Sequence, residues 1–133
     1  MYAYQAKLIE VIDGDTVDLL IDVGLEIHKR ERCRLYGIDA PEMPTEAGKA
    51  AKAHLESLIG AATGRLFVAT RKTTRKPKEK TDKYGRYLAV LYDGGRTADM
   101  DLDGDQNETS IYMMNGSMNF DMVYAGHARE RYW

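Results

Sequence analysis

Between Asp15 and Val23 the chain reads DTVDLLIDV, with Val17, Leu19, Ile21 and Val23 at alternate positions. A period of two over this length specifies a strand with one buried face, because successive side chains point to opposite sides of a sheet. QAKLIEVI precedes it and reads as its partner. The Asp13-Gly14-Asp15 stretch between them is a hairpin signal. IHKRERCRLYGI reads as a third strand, with Cys33 and Leu35 on one face and Arg30, Arg32 and Arg34 on the other. Pro41 biases Ala40 to an extended conformation and stops that strand. TEAGKAAKAHLESLIG then changes period. Thr45 is placed to cap a helix whose apolar stripe is Ala47, Ala51, Leu55, Leu58 and Ile59, ending at Gly60 or Gly64. RLFVATRK and RYLAVLY read as two further strands around a basic loop. SMNFDMVYAG reads as a short helix between Ser117 and Gly126.

Five short strands with a helix after the third predict a mainly β, α+β fold: a small five-stranded barrel of the OB type with two packed helices. The length, 133 residues, suits one domain over 1–133, with an acidic insertion at about 93–110. A single cysteine, Cys33, excludes an internal disulfide. His28, His54 and His127 lack the paired spacing of a structural zinc site. The N-terminus carries no basic region followed by an apolar run, and no apolar run nears the ~20 residues of a membrane span. A cytoplasmic protein without membrane association is the expectation.

The net charge is −2, yet it is unevenly spread. Residues 65–86 carry a local balance of +7, and residues 93–109 one of −5. The first is a field that a polyanion would feel, although a solvated lysine-rich loop gives the same composition. DGDT at 13–16, DAPE at 39–42 and TDKYGR at 81–86 each read alone as turns or loop ends. Together they place an acid pair after the first strand, Arg34 on the third, Asp39 and Glu42 after it, and Arg86 before the fifth.

VIDGDTV, CRLYGIDAPE and DKYGR, in this order and at these separations, resemble the staphylococcal nuclease (thermonuclease-like) family. The resemblance runs from about Lys7 to Ala128 and includes MNFDMVYAGHA as the second helix. It implies an OB-fold barrel and a calcium-dependent, sugar-nonspecific nuclease, a phosphodiesterase with endonuclease or exonuclease action. Such an enzyme cuts the 5′-oxygen–phosphorus bond of DNA and RNA and leaves 3′-phosphates. Single-stranded nucleic acid is the expected partner, and a monomer the expected state, with a dimer as the alternative. Carried over by motif, Asp15 and Asp39 resemble the Ca2+ ligands, and Ala40 is placed to add its backbone carbonyl. Glu42 resembles the carboxylate that contacts the attacking water, as general base or as an orienting group. Arg34 and Arg86 resemble the phosphate-binding arginines. Lys83, Tyr84 and Tyr132 sit where the family binds the nucleotide's other phosphate and its ring. Family members continue into a third helix, so Tyr132 and Trp133, or a second subunit, are expected to cover that face of the barrel.

The chemistry agrees with these assignments. Calcium takes hard oxygens in a loose shell with room for water, and arginine meets phosphate with two parallel hydrogen bonds. A non-catalytic OB-fold nucleic-acid-binding module is the alternative, but it gives no reason to hold Asp15, Arg34, Asp39, Glu42 and Arg86 together. DLDGDQNET, from Asp101, tempts an EF-hand reading, but its sixth position is Gln106 and its twelfth Tyr112, so the pattern fails. It is read as an acidic surface loop. His54, Cys33, Met113, Met114, Met118 and Met122 are read as packing residues.

Overall fold

Alternation does set the frame. The computed structural model describes residues 2–62, 66–70, 87–94 and 116–131. Strand β1 (Tyr2–Asp13) turns at Gly14-Asp15 into β2 (Thr16–Gly24), which turns again into β3 (Ile27–Leu35). After the Tyr36-Gly37 turn come the two-residue β4 (Ile38–Asp39) and helix α1 (Glu46–Gly60). Strands β5 (Leu66–Thr70) and β6 (Tyr87–Asp93), helix α2 (Met118–Tyr124) and the two-residue β7 (Arg129–Glu130) complete the order.

The five long strands close a barrel in the order β1-β2-β3-β6-β5, with β5 returning to β1. All neighbours are antiparallel except β3 and β6, which pair in parallel from Cys33↔Tyr87 to Leu35↔Ala89. This is the five-stranded barrel with two helices that the strand count predicted. Closure removes the exposed edges that an open sheet of this size would carry. Val17, Leu19 and Ile21 fill the interior from β2, and Cys33 and Leu35 from β3. Val23 is exposed, so the inward stripe stops one position early. In β6, Leu88 to Tyr92 are buried without alternation, as in a strand covered on both faces.

Burial, more than the neighbouring Glu31 and Asp18, pushes the Cys33 thiol up to about 12. It is a core residue with little thiolate character. Thr45 caps α1 as expected, its hydroxyl accepting from the Gly48 N–H at 3.0 Å. The helix turns Gly48, Ala51, Leu55 and Ile59 inward, while Ala47 is exposed. Ser117 caps α2, accepting from the Phe120 N–H at 3.0 Å, and Met118 and Met122 are buried. Met113 and Met114 lie outside the described residues, as does the acidic stretch beyond Gly94. Among the described residues no helix is long and apolar enough to cross a membrane.

Asn119 was not singled out by sequence, yet it is fully buried. Its Oδ1 accepts from the Leu91 N–H at 3.0 Å, and its Nδ2 donates to the carbonyls of Tyr36 (2.9 Å) and Ala89 (3.1 Å). One amide thus ties α2 to β6 and to the turn that leads into β4. That turn carries the loop on which the candidate site is built.

Candidate active site

Strand register brings the charged residues together. Arg34 of β3 pairs with Thr16 of β2, one residue past Asp15. The Leu35 N–H donates to the Asp15 carbonyl at 2.7 Å. β1 has two register shifts near this end, between Leu8 and Glu10 and between Val11 and Asp13, and bulges of this kind re-aim side chains beside functional sites. Gly14 permits the fit: a Cβ there would sit 2.7 Å from the Ala51 Cβ of α1 and 2.8 Å from the Ala40 Cβ. Gly48 does the same for the exit loop, since a Cβ there would collide with the Glu42 backbone.

The centre is one buried guanidinium between two carboxylates. Arg34 is 4% exposed and Asp15 7%. Arg34 Nη2 donates to Asp39 Oδ1 at 3.1 Å. Nη1 lies 2.9 Å from Asp15 Oδ2, at an angle that makes an ion pair rather than an aligned hydrogen bond. Asp15 Oδ2 also accepts from the Ala40 N–H at 2.8 Å, and Asp15 Oδ1 from the Thr16 hydroxyl at 3.2 Å. The Asp15 N–H donates to Asp13 Oδ1 at 3.0 Å. Burial, then the hydrogen-bonding Asp13 carboxyl, push the Asp15 carboxyl up to about 6; Arg34 and the Ala40 N–H pull the other way. The burial cost of the anion outweighs one arginine.

Asp39 has a second cation. Arg129 Nη2 donates to Asp39 Oδ2 at 3.3 Å. It comes from β7, which pairs with β4 at Ile38↔Glu130 and Asp39↔Arg129. The Arg131 N–H donates to the Gly37 carbonyl at 2.8 Å and lengthens that strap. A cleft of about 540 Å³ opens beside it, lined by Asp39, Ala40, Pro41 and Glu42 on one side and Gly126 to Arg129 on the other. Glu42 is exposed there, and its carbonyl accepts from the Thr45 N–H at 3.2 Å. His54 of α1 stacks on His127, ring centroids 4.6 Å apart, which is the packing role read for His54.

Of the residues selected by sequence, Asp15, Arg34, Asp39 and Ala40 meet directly, and Glu42 shares a cleft with Asp39. Arg86, Lys83, Tyr84 and Tyr132 lie outside the described residues. Arg129 was missed; its one sequence signal is a cation shortly after the second helix, which carries no motif. Among the described residues no three His, Cys, Asp or Glu side chains converge as a metal cluster. A cation at Asp15 and Asp39 would therefore meet two carboxylates and draw the rest of its shell from carbonyl, water and substrate oxygens. That hard-oxygen set suits calcium or magnesium and not zinc.

Comparison with known proteins bears on the part of the site from Arg34 onward, since the family match begins after Asp15. The family model described as "Staphylococcal nuclease homologue" matches residues 32–133. A protein named "Micrococcal nuclease" from Shigella flexneri is 29% identical over 89 residues, which cover 67% of this chain and 42% of that protein. "Protein ParB" of Escherichia coli is 32% identical over 88 residues, 66% of this chain and 41% of that one. An "Uncharacterized endonuclease" of Escherichia coli O157:H7 is 29% identical over 86 residues, 65% and 46% respectively. The chain thus spans less than half the length of these relatives.

Proposed function

The chain belongs to the staphylococcal nuclease homologue family, and from that premise we propose that it is a calcium-dependent, sugar-nonspecific nuclease. It hydrolyses the phosphodiester bond of DNA and RNA on the 5′-oxygen side and leaves 3′-phosphates. The observation that carries this reading is the Arg34 guanidinium held between Asp15 and Asp39 beside the Glu42 cleft. A barrel that needed only its fold would not bury a carboxylate and an arginine, Asp15 and Arg34, at its rim, since each buried charge costs desolvation.

Asp15 and Asp39, with the Ala40 carbonyl, are the groups that would hold calcium. When bound, the ion supplies Lewis-acid polarisation of a phosphate oxygen and helps orient water. The remaining work falls to the protein's own side chains. Arg34, paired in this structure with Asp15 and Asp39, is assigned the stabilisation of charge that develops on the phosphate oxygens. Arg86, from DKYGR, is assigned the second phosphate contact on the motif alone. Glu42 lies in the open cleft, where it orients the attacking water or takes its proton. Lys83, Tyr84 and Tyr132 are assigned to the neighbouring nucleotide.

The test is incubation of the purified chain with single-stranded DNA and RNA, with calcium and then with excess chelator, followed by identification of the product ends. Cleavage that yields 3′-phosphates and stops in chelator is the expected result. Undiminished cleavage in chelator overturns the metal assignment. Binding without cleavage at any calcium level assigns the chain to non-catalytic binding.

A further inference from the structure

Arg129 differs from Arg34 in every respect that matters to a ligand. Arg34 is enclosed and engaged at both Nη atoms. Arg129 has its side chain 84% exposed and reaches Asp39 through one nitrogen at 3.3 Å. Exposed pairs of this kind hold weakly and exchange readily. Among the described residues that line the 540 Å³ cleft, Arg129 is the one arginine or lysine, and it faces the acids Asp39 and Glu42. A polyanionic strand that passes two carboxylates is repelled unless a cation on the same cleft meets it. A guanidinium with most of its donors turned to solvent is suited to that task, because its fork matches phosphate oxygens.

We propose that Arg129 binds a further backbone phosphate of the nucleic-acid strand, on the side of the scissile phosphate away from the one assigned to Lys83 and Tyr84, in the cleft between the Asp39–Glu42 loop and the Gly126–Arg129 segment. The inference rests on the nuclease reading for the position of the scissile phosphate. It makes Arg129 a binding residue that favours strands over single nucleotides, and it gives the β4–β7 strap a purpose: the backbone pairing sets the arginine at a fixed distance from Asp39. On substrate binding the guanidinium leaves Asp39 Oδ2 for the phosphate, which frees that oxygen at the same moment.

The experiment compares the parent chain with Arg129→Ala and Arg129→Lys. Binding of a fluorescent single-stranded oligonucleotide is measured in chelator across a salt series, and cleavage is measured on that oligonucleotide and on a chromogenic nucleoside diester with a single phosphate. Arg129→Ala should weaken oligonucleotide binding about tenfold, the scale of one lost charged hydrogen bond. It should also flatten the slope of log affinity against log salt by about 0.7, one phosphate contact on a single strand. Arg129→Lys should keep the slope and recover part of the affinity. In Arg129→Ala, cleavage of the oligonucleotide below saturation should fall with the affinity, and cleavage of the single-phosphate diester should fall by less. Unchanged binding and slope in Arg129→Ala, or an equal loss of cleavage on both substrates, overturns the proposal; the latter would make Arg129 a support for Asp39 alone. Should Arg129→Ala lower the unfolding midpoint, Arg129→Gln is read in its place. If the parent cleaves neither substrate, the nuclease reading fails while the binding arm still decides the arginine.

Discussion

Arg34 and Glu42 lie a few residues apart and pose opposite energetic problems. Arg34 is buried between two carboxylates, so its replacement touches stability as well as chemistry. Arg34→Lys keeps a charge but cannot span Asp15 and Asp39. Disrupting a buried pair costs on the order of 3–5 kcal/mol when one partner is removed outright, and a retained ammonium should lose part of that. The rate should fall ~10²–10³-fold with the loss of the fixed donors. Glu42 is exposed, so Glu42→Gln should leave stability within about 0.5 kcal/mol while the rate falls ~10²–10⁴-fold. Single-turnover rates and denaturant midpoints, measured side by side, check both. If Glu42→Gln and Arg34→Lys both cleave within about threefold of the parent, far inside those ranges, the catalytic assignment is wrong.

At the scale of elements, β3 shows what alternation reveals and what it hides. The pattern put Arg30, Arg32 and Arg34 on one face, and the register agrees. It could not tell that Arg30 and Arg32 stay largely exposed on the outer wall beside Asp18, while Arg34 is enclosed between Asp15 of the β1–β2 turn and Asp39 of β4. Burial at a strand's end depends on what crosses over it, and that partner lies outside the strand. β4 and β7 were unreadable because two residues carry no period. Asn119 was unreadable because an asparagine beside a cap looks like an ordinary polar residue at a helix start. The barrel, both helices and the Asp15–Arg34–Asp39 centre were legible because each rests on local alternation, capping or motif spacing.

Two predictions belong to this scale. Asn119→Ala strands the buried Leu91 N–H, so it should destabilise by roughly 1–3 kcal/mol, the cost of one unmet buried donor. A denaturation curve equal to the parent's would refute the bridging role. Asp18 accepts from Arg32 Nε at 2.8 Å and Nη2 at 3.1 Å, and that hydrogen bonding holds its carboxyl below the usual 3.8. A depressed carboxyl binds its proton more weakly when folded. The stability it contributes is therefore complete above the unfolded value and is lost as pH falls through the lower folded one. Asp18→Asn should be less stable than the parent at neutral pH, and the gap should close in strong acid. A gap independent of pH would remove the ion-pair explanation.

At the scale of the whole molecule the balance of −2 conceals two opposed fields, the +7 of residues 65–86 and the −5 of residues 93–109. A single strand bound by lysines releases counterions, and log affinity falls with log salt by about 0.7 per phosphate neutralised. Neutralising Lys76, Lys78 and Lys80 together should flatten that slope by up to about 2 and leave single-turnover cleavage at saturating substrate nearly intact. The acidic stretch should act in the opposite sense if it faces the strand, as an electrostatic brake on binding. It follows β6, which ends at Asp93, and precedes α2, which begins at Met118. Shortening such a connection changes closure entropy only slowly with length. Deleting residues 95–108 removes five acids and one arginine and should preserve the fold. Oligonucleotide affinity should then rise at low salt, because repulsion between the acids and the strand is lost. The gain should vanish near 1 M salt, where screening acts within ~3 Å. Circular dichroism and the same salt series measure both effects. A deletion that folds yet binds no tighter at low salt would show that the acidic stretch does not face the strand, and the electrostatic brake would be abandoned.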